Sequence, residues 1–203
     1  MSETAAVRAV VFDLGEVLAS PGDLYSDLSQ AVGLERDVFE EAYWAHRDDY
    51  DRGGQPETFW GAVLDDLDVP TDSALIDSLD AIDIAAWTSI RPSAADILRR
   101  LSDRGLRVAI LSNAPYTLAR IARLTAWGEY VTDWFFSGEL AVAKPDRAIY
   151  TAVSEGLGLA PESLLFIDDR QVNVDAAREA GWQAHLWQSD ADTENLLKGR
   201  DLV

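Results

Sequence analysis

The sequence predicts an α/β fold, a parallel sheet with helices on both faces and a helical bundle inserted after the first strand. Three observations carry this. Five short runs are apolar and rich in β-branched or aromatic residues: Val7–Phe12, Arg107–Leu111, Trp134–Phe136, Leu164–Ile167 and Ala184–Trp187. From residue 91 onward they alternate with helical patterns, as successive β-α units do. Between about residues 19 and 90 no run reads as a strand, and every apolar stripe has helical spacing.

The first run is almost continuously apolar, as a strand buried on both faces should be. Four helical stripes follow it: Leu24/Leu28/Val32, Phe39/Tyr43/His46/Tyr50, Phe59/Val63/Leu67 and Leu75/Leu79/Ile82. Breaks fall at Pro21–Gly22, Gly33, Gly53–Gly54 and Pro70. Thr71 or Asp72 is placed to cap the fourth helix. The second half supplies amphipathic segments at Ser93–Arg104, Tyr116–Trp127, Arg147–Glu155 and Val172–Ala180. The expected division is a sheet domain of residues 1–18 and 91–203, with the bundle at 19–90.

Composition narrows the function. The chain has 203 residues, 17 Lys and Arg against 36 Asp and Glu, and no cysteine. A net charge of −19 works against nucleic-acid or anionic-membrane surfaces. The lack of cysteine excludes disulfides, thiolate nucleophiles and Cys-ligated zinc. No apolar run approaches the ~18 residues needed to span a bilayer. The expectation is a soluble, cytoplasmic protein.

Parallel α/β sheets bind ligands beyond the carboxyl ends of their strands. There the chain places Asp13-Leu14-Gly15-Glu16, Ser112-Asn113, Lys144 and Asp168-Asp169. Taken singly, each has a plain reading. Asp13 and Ser112-Asn113 suit turns, and Asp168-Asp169 suits a helix N-terminus. Lys144 is harder to set aside, because the chain has 15 arginines and only two lysines. A compact ammonium is favoured at that position over a planar fork. Together the set suits phosphoryl transfer: a carboxylate nucleophile, oxygen ligands for Mg²⁺, a hydroxyl and a cation for phosphoryl oxygens.

The pieces VVFDLGEVL, AILSNA, GELAVAKPDRAIY and LLFIDDRQVNVDAAREAG, in that order, resemble the motifs of the haloacid dehalogenase (HAD) superfamily. The nearest branch is the FDLGxV type that includes α-D-glucose-1-phosphate phosphatase-like proteins. The resemblance implies a Rossmann-like core with a helical C1 cap formed by the insertion. It implies Asp13 as nucleophile and metal ligand, the Gly15 carbonyl and Asp169 as further Mg²⁺ ligands, and Asp168 as a ligand directly or through water. Ser112 and the Asn113 region would hold the phosphoryl group, Lys144 would neutralise charge, and Asn173 would support the site. A cap shapes specificity in such proteins, which directs attention to Trp44, His46, Arg47 and Tyr50. Trp44 and Arg47 lie off the apolar stripe, free to be solvated or to line the cleft.

The chain departs from the family pattern at Gly15, where most such phosphatases carry the aspartate that protonates the leaving group. Glu16, His46 or water are the substitutes on view. The expected activity is therefore Mg²⁺-dependent hydrolysis of a small phosphate monoester through an aspartyl-phosphate. Two other readings stand beside it: a metal-independent 2-haloacid dehalogenase, and a HAD-like binding protein without catalysis. The acidic pair 168–169 opposes the first, and the joint presence of Asp13, Ser112, Lys144 and Asp169 opposes the second. Residues 20–90 hold 17 acids and 3 bases, so most of the negative charge belongs to the insertion. A small monophosphate with a neutral or cationic body fits that balance.

Overall fold

The computed structural model describes residues 5–203. Five strands form one parallel sheet: β1 (Ala9–Phe12), β2 (Arg107–Ser112), β3 (Asp133–Phe136), β4 (Leu164–Asp168) and β5 (Gln183–Leu186). Their order is β3-β2-β1-β4-β5. Each coincides with an apolar run of the sequence, within one or two residues at either end. Side chains alternate across the sheet as the pleat requires. Val10, Phe12, Ile110, Leu165 and Ile167 join one core, while Val11, Ala109, Leu111, Leu164 and Phe166 join the other.

The first crossover holds α1 (Leu24–Val32), α2 (Arg36–Asp51), α3 (Pro56–Asp66), α4 (Ser73–Thr88) and α5 (Pro92–Asp103). Proline opens α3 and α5, where its missing N–H has no helical partner to lose. Asp72 caps α4 by accepting the Leu75 N–H at 2.9 Å. Gly33 closes α1 in the left-handed region, at φ 74°. Helices α1 to α4 pack on one another around an aromatic centre in which Tyr50 stacks on Phe59, centroids 4.4 Å apart.

The remaining helices are α6 (Tyr116–Ala122), α7 (Ser137–Leu140), α8 (Arg147–Leu157), α9 (Gln171–Glu179) and α10 (Asp190–Gly199). Here the periodicity overreached. The segment expected to be helical to Trp127 ends at Ala122, and a 3₁₀ turn follows at Ala126–Tyr130. Thr125 is the cause: its hydroxyl donates to the Ala122 carbonyl at 2.7 Å and accepts the Gly128 N–H at 3.2 Å. Trp127 thereby turns inward and donates to the Thr88 carbonyl at 2.9 Å.

Among the described residues, no helix is long and apolar enough to cross a membrane.

Gly138 marks a point where two backbone segments almost touch. A Cβ there would lie 2.8 Å from the Ala114 carbonyl oxygen and 2.9 Å from the Tyr116 nitrogen. Neither backbone group can rotate away. Gly138→Ala is therefore expected to cost about 1–3 kcal/mol, read as a lower urea midpoint. An unchanged midpoint would show that this loop yields freely.

Candidate active site

The sheet register brings the candidate residues together. Phe12 pairs with both Ile110 and Ile167, so Asp13 and Asp168 emerge level at the carboxyl edge, with Ser112 one residue further along β2. The chain runs outward from β1 to β2 and β3, then returns to β4 on the other side. That reversal is the switch point at which α/β sheets open a crevice.

Asp13 and Asp168 flank a buried ammonium. Lys144 Nζ lies 2.9 Å from Asp13 Oδ1 and 2.7 Å from Asp168 Oδ2. The lysine is held from behind by Asn113, whose Oδ1 accepts the Lys144 N–H at 2.8 Å and whose Nδ2 donates to the Lys144 carbonyl at 2.9 Å. The Asn113 amide is thus engaged with backbone, and any hold it has on a ligand must come from its main chain. Asp13 Oδ1 also accepts the Leu14 N–H at 2.7 Å. Asp168 is wholly buried, and takes the Arg170 N–H at 2.8 Å and Asn173 Nδ2 at 3.0 and 3.1 Å.

Electrostatics in this pocket are unbalanced. Burial pushes the Asp13 carboxyl up to about 7; Lys144 opposes the shift, while Asp168 and Asp169 reinforce it. Burial and Asp168 also raise Asp169. Burial acts to lower Lys144, but the two aspartates outweigh it and hold the ammonium charged. Oxygens of Asp13, Asp168 and Asp169 lie within 4.8 Å of one another. One lysine does not neutralise three crowded carboxylates, so a hard divalent cation with oxygen ligands fits this donor set. The Gly15 carbonyl accepts the Val17 N–H at 2.7 Å, which leaves its second lone pair.

A cleft of about 480 Å³ opens over these groups, between the sheet edge and the inserted helices. Asp13, Gly15, Ser112, Asn113, Lys144 and Asp169 line its floor. Asp168 lies beneath, behind Lys144. Glu16 reaches the rim; it is exposed, at φ 58°, with its carboxylate 3.2 Å from Ser20 Oγ.

Of the two placements open to them, Trp44 and Arg47 take the cleft, and Arg47 is only 5% exposed. Its Nε donates to Asp51 at 2.7 Å and its Nη1 to Asp83 at 3.1 Å. His46 does not line the cleft; it pairs with Asp66 of α3 at 2.7 Å. Tyr50 is buried, its hydroxyl donating to Asp80 at 2.7 Å and lying 3.0 Å from Thr117 Oγ1. Asp51 and Trp87, which line the cleft, went unnoticed in the sequence. The Arg47–Asp51 spacing of i,i+4 was the available signal for the first. Nothing local signals Trp87, whose ring stands 3.3 Å from where a Cβ on Gly15 would be.

A family model for haloacid dehalogenase-like hydrolases matches residues 7–181. The chain belongs to this family of hydrolases. A Mycobacterium tuberculosis phosphatase is 28% identical over 200 residues, 94% of this chain and 91% of that protein. Among solved structures, a HAD family enzyme from Bacteroides thetaiotaomicron, in complex with magnesium and inorganic phosphate, is 22% identical. It superposes with a TM-score of 0.73 over 94% of this hydrolase and 99% of its own chain. The L-2-haloacid dehalogenase of Xanthobacter autotrophicus, with chloropropionic acid covalently bound, is 19% identical, with a TM-score of 0.73 over 95% and 83%. At these identities the two structures share the fold of this HAD-like hydrolase, and the chemistry must be argued from its residues.

Proposed function

We propose that this hydrolase is a Mg²⁺-dependent phosphatase acting on a small phosphate monoester. The observation that carries the reading is the three-carboxylate cluster of Asp13, Asp168 and Asp169 around one buried lysine. A haloacid-processing site has no use for such crowding, whereas a dianionic phosphoryl group needs the cation that it can hold. The full-length match to a phosphatase points the same way. Residues 5–18 and 91–203 form the catalytic core in this reading, residues 1–4 of the expected core lying outside the described residues, and residues 19–90 form its cap.

Asp13 is the nucleophile. Leu14 and Lys144 hold its Oδ1, so the other oxygen is offered to phosphorus. Attack expels the alcohol and leaves an aspartyl-phosphate, which water then hydrolyses. Asp13, Asp169 and the Gly15 carbonyl would hold Mg²⁺; when bound it offsets charge on the phosphoryl oxygens. Asp168 has its lone pairs taken, so it keeps Lys144 in place and contributes its charge. Ser112, buried at the cleft floor, presents its hydroxyl to a phosphoryl oxygen. Lys144 neutralises charge on Asp13 as the phosphoryl group arrives.

The test is phosphate release from an aryl phosphate and a panel of alkyl and sugar monophosphates, with Mg²⁺ and with chelator. Release should require both the metal and Asp13. Inert esters, or an Asp13→Asn variant with full activity, would overturn the reading. Chloride release from a 2-haloacid without metal would establish the dehalogenase instead.

A further inference from the structure

Phosphate monoesters of ordinary alcohols leave slowly unless the bridging oxygen is protonated. Position 15, next to the nucleophile, has no side chain to do this. A Cβ there would stand 3.3 Å from the Trp87 ring, which is held by its Nε1 bond to the Tyr43 hydroxyl at 3.2 Å, so the ring crowds the space beside Gly15. The proton must come from another wall of the cleft.

Five carboxylates line that cleft: Asp13, Glu16, Asp48, Asp51 and Asp169. Asp13 and Asp169 belong to the nucleophile and metal cluster. Glu16 is exposed at the rim and turned to Ser20. Asp48 is exposed and paired with Arg52 at 3.1 Å. Asp51 differs from all of these. It comes from the inserted helices opposite the nucleophile, its side chain is 14% exposed, and its Oδ1 is fixed by Arg47 Nε at 2.7 Å.

The backbone of Asp51 is tied to the phosphoryl-binding loop. Ser137 Oγ accepts the Ala114 N–H at 2.9 Å and donates to the Asp51 carbonyl. One buried hydroxyl thus sets the distance between this carboxylate and the segment that carries Ser112. On α2, the Tyr50 hydroxyl reaches Thr117 on the core side.

We propose that Asp51 is the general acid and base of this phosphatase, acting from the cap in place of the side chain missing at Gly15. This rests on the phosphatase reading above. As the bond between phosphorus and the ester oxygen breaks, protonated Asp51 gives its proton to that oxygen and the neutral alcohol departs. The carboxylate left behind faces Arg47. Water then attacks the phosphorus of the aspartyl-phosphate and gives its proton to Asp51. The bond from phosphorus to Asp13 breaks, phosphate leaves, and both aspartates return to their starting states. Burial holds the Asp51 carboxyl up to about 6, against the pull of Arg47 and with repulsion from Asp83 and Asp48. That range suits proton exchange near neutrality.

The experiment compares Asp51→Asn with the wild type, both with Mg²⁺, on an aryl phosphate and an alkyl phosphate of similar size in rapid-mixing assays. The aryl alcohol needs no protonation. The variant should release one equivalent of it in a burst within about tenfold of the wild-type rate, then stall as phosphoenzyme. With the alkyl ester the first turnover should fall on the order of 10²–10⁴-fold. A merely structural Asp51 would slow both esters alike. Equal loss, or no loss, overturns the proposal. So does a selective collapse of the alkyl rate in Glu16→Gln, which would make Glu16 the acid. Should Asp51→Asn fail to fold, Asp51→Glu supplies the same test through its alkyl-to-aryl ratio, which must fall. A wild type inert on both esters would sink the phosphatase reading itself, separately from this assignment.

Discussion

Lys144→Met is expected to be the most destabilising single change at the site. The ammonium lies between two carboxylates and is only 3% exposed. Removing it leaves Asp13, Asp168 and Asp169 crowded without a counter-charge. Breaking a buried ion pair from one side costs about 3–5 kcal/mol, so the urea midpoint of metal-free protein should fall accordingly. Phosphate release should fall on the order of 10²–10³-fold, the usual effect of removing one group that stabilises transition-state charge. Lys144→Arg should not rescue it. The Phe166 ring stands 5.5 Å from Nζ, and Asn113 fixes the backbone from behind, so a planar fork has no room to reach both aspartates. Saturating Mg²⁺ should recover part of the stability of Lys144→Met, because the ion answers the same charges. A variant as stable as the wild type without metal would show that the ammonium does not hold this cluster together.

Some of this site was legible in the sequence because parallel sheets are legible. A strand buried on both faces is a contiguous apolar run, and the residue that ends it is already at the ligand edge. Asp13, Ser112 and Asp168 could be placed on one rim from sequence for that reason. Lys144 was marked by composition. What was not legible depends on contacts between distant segments. Arg47, off the apolar stripe, is placed by sequence either in solvent or in the cleft; Asp83, 36 residues onward, draws it inward and decides for the cleft. His46 looked like a packed residue because its spacing matches Tyr43 and Tyr50. It lies partly buried at the stripe's margin, where it pairs with Asp66. The Trp87 ring against Gly15 has no local signature at all, and it crowds the position that lacks a side chain. The Tyr116–Trp127 segment misled through periodicity: its apolar pattern continues through Trp127, but the Thr125 hydroxyl takes over the Ala122 carbonyl.

Asp13→Asn should remove activity and add stability. Loss of the nucleophile is expected to lower phosphate release by about 10⁴-fold or more. The stability gain follows from the carboxyl being raised in the folded state from its ordinary 3.8 to about 7. Below pH 4 the group is neutral both folded and unfolded, and it costs nothing. Between about pH 4 and 7 the unfolded chain has released its proton while the folded chain retains it, so stability falls as pH rises. Above about 7 both forms are ionised and the penalty is constant. Asp51 and Asp83, each raised to about 6 mainly by burial, slope in the same direction over a narrower window. Metal-free wild type should therefore melt progressively lower from pH 4 to 7. Asparagine at 13 can still accept the Leu14 N–H, and Lys144 keeps Asp168 as its partner. The variant should lose part of the slope and melt above the wild type at pH 8, by about 2–4 °C for each kcal/mol relieved. Mg²⁺ should reverse the order, since it stabilises the wild-type site more than one lacking a charged ligand. If metal-free Asp13→Asn melts below the wild type at pH 8, the Lys144 ion pair outweighs burial and repulsion, and the site is not poised for a cation.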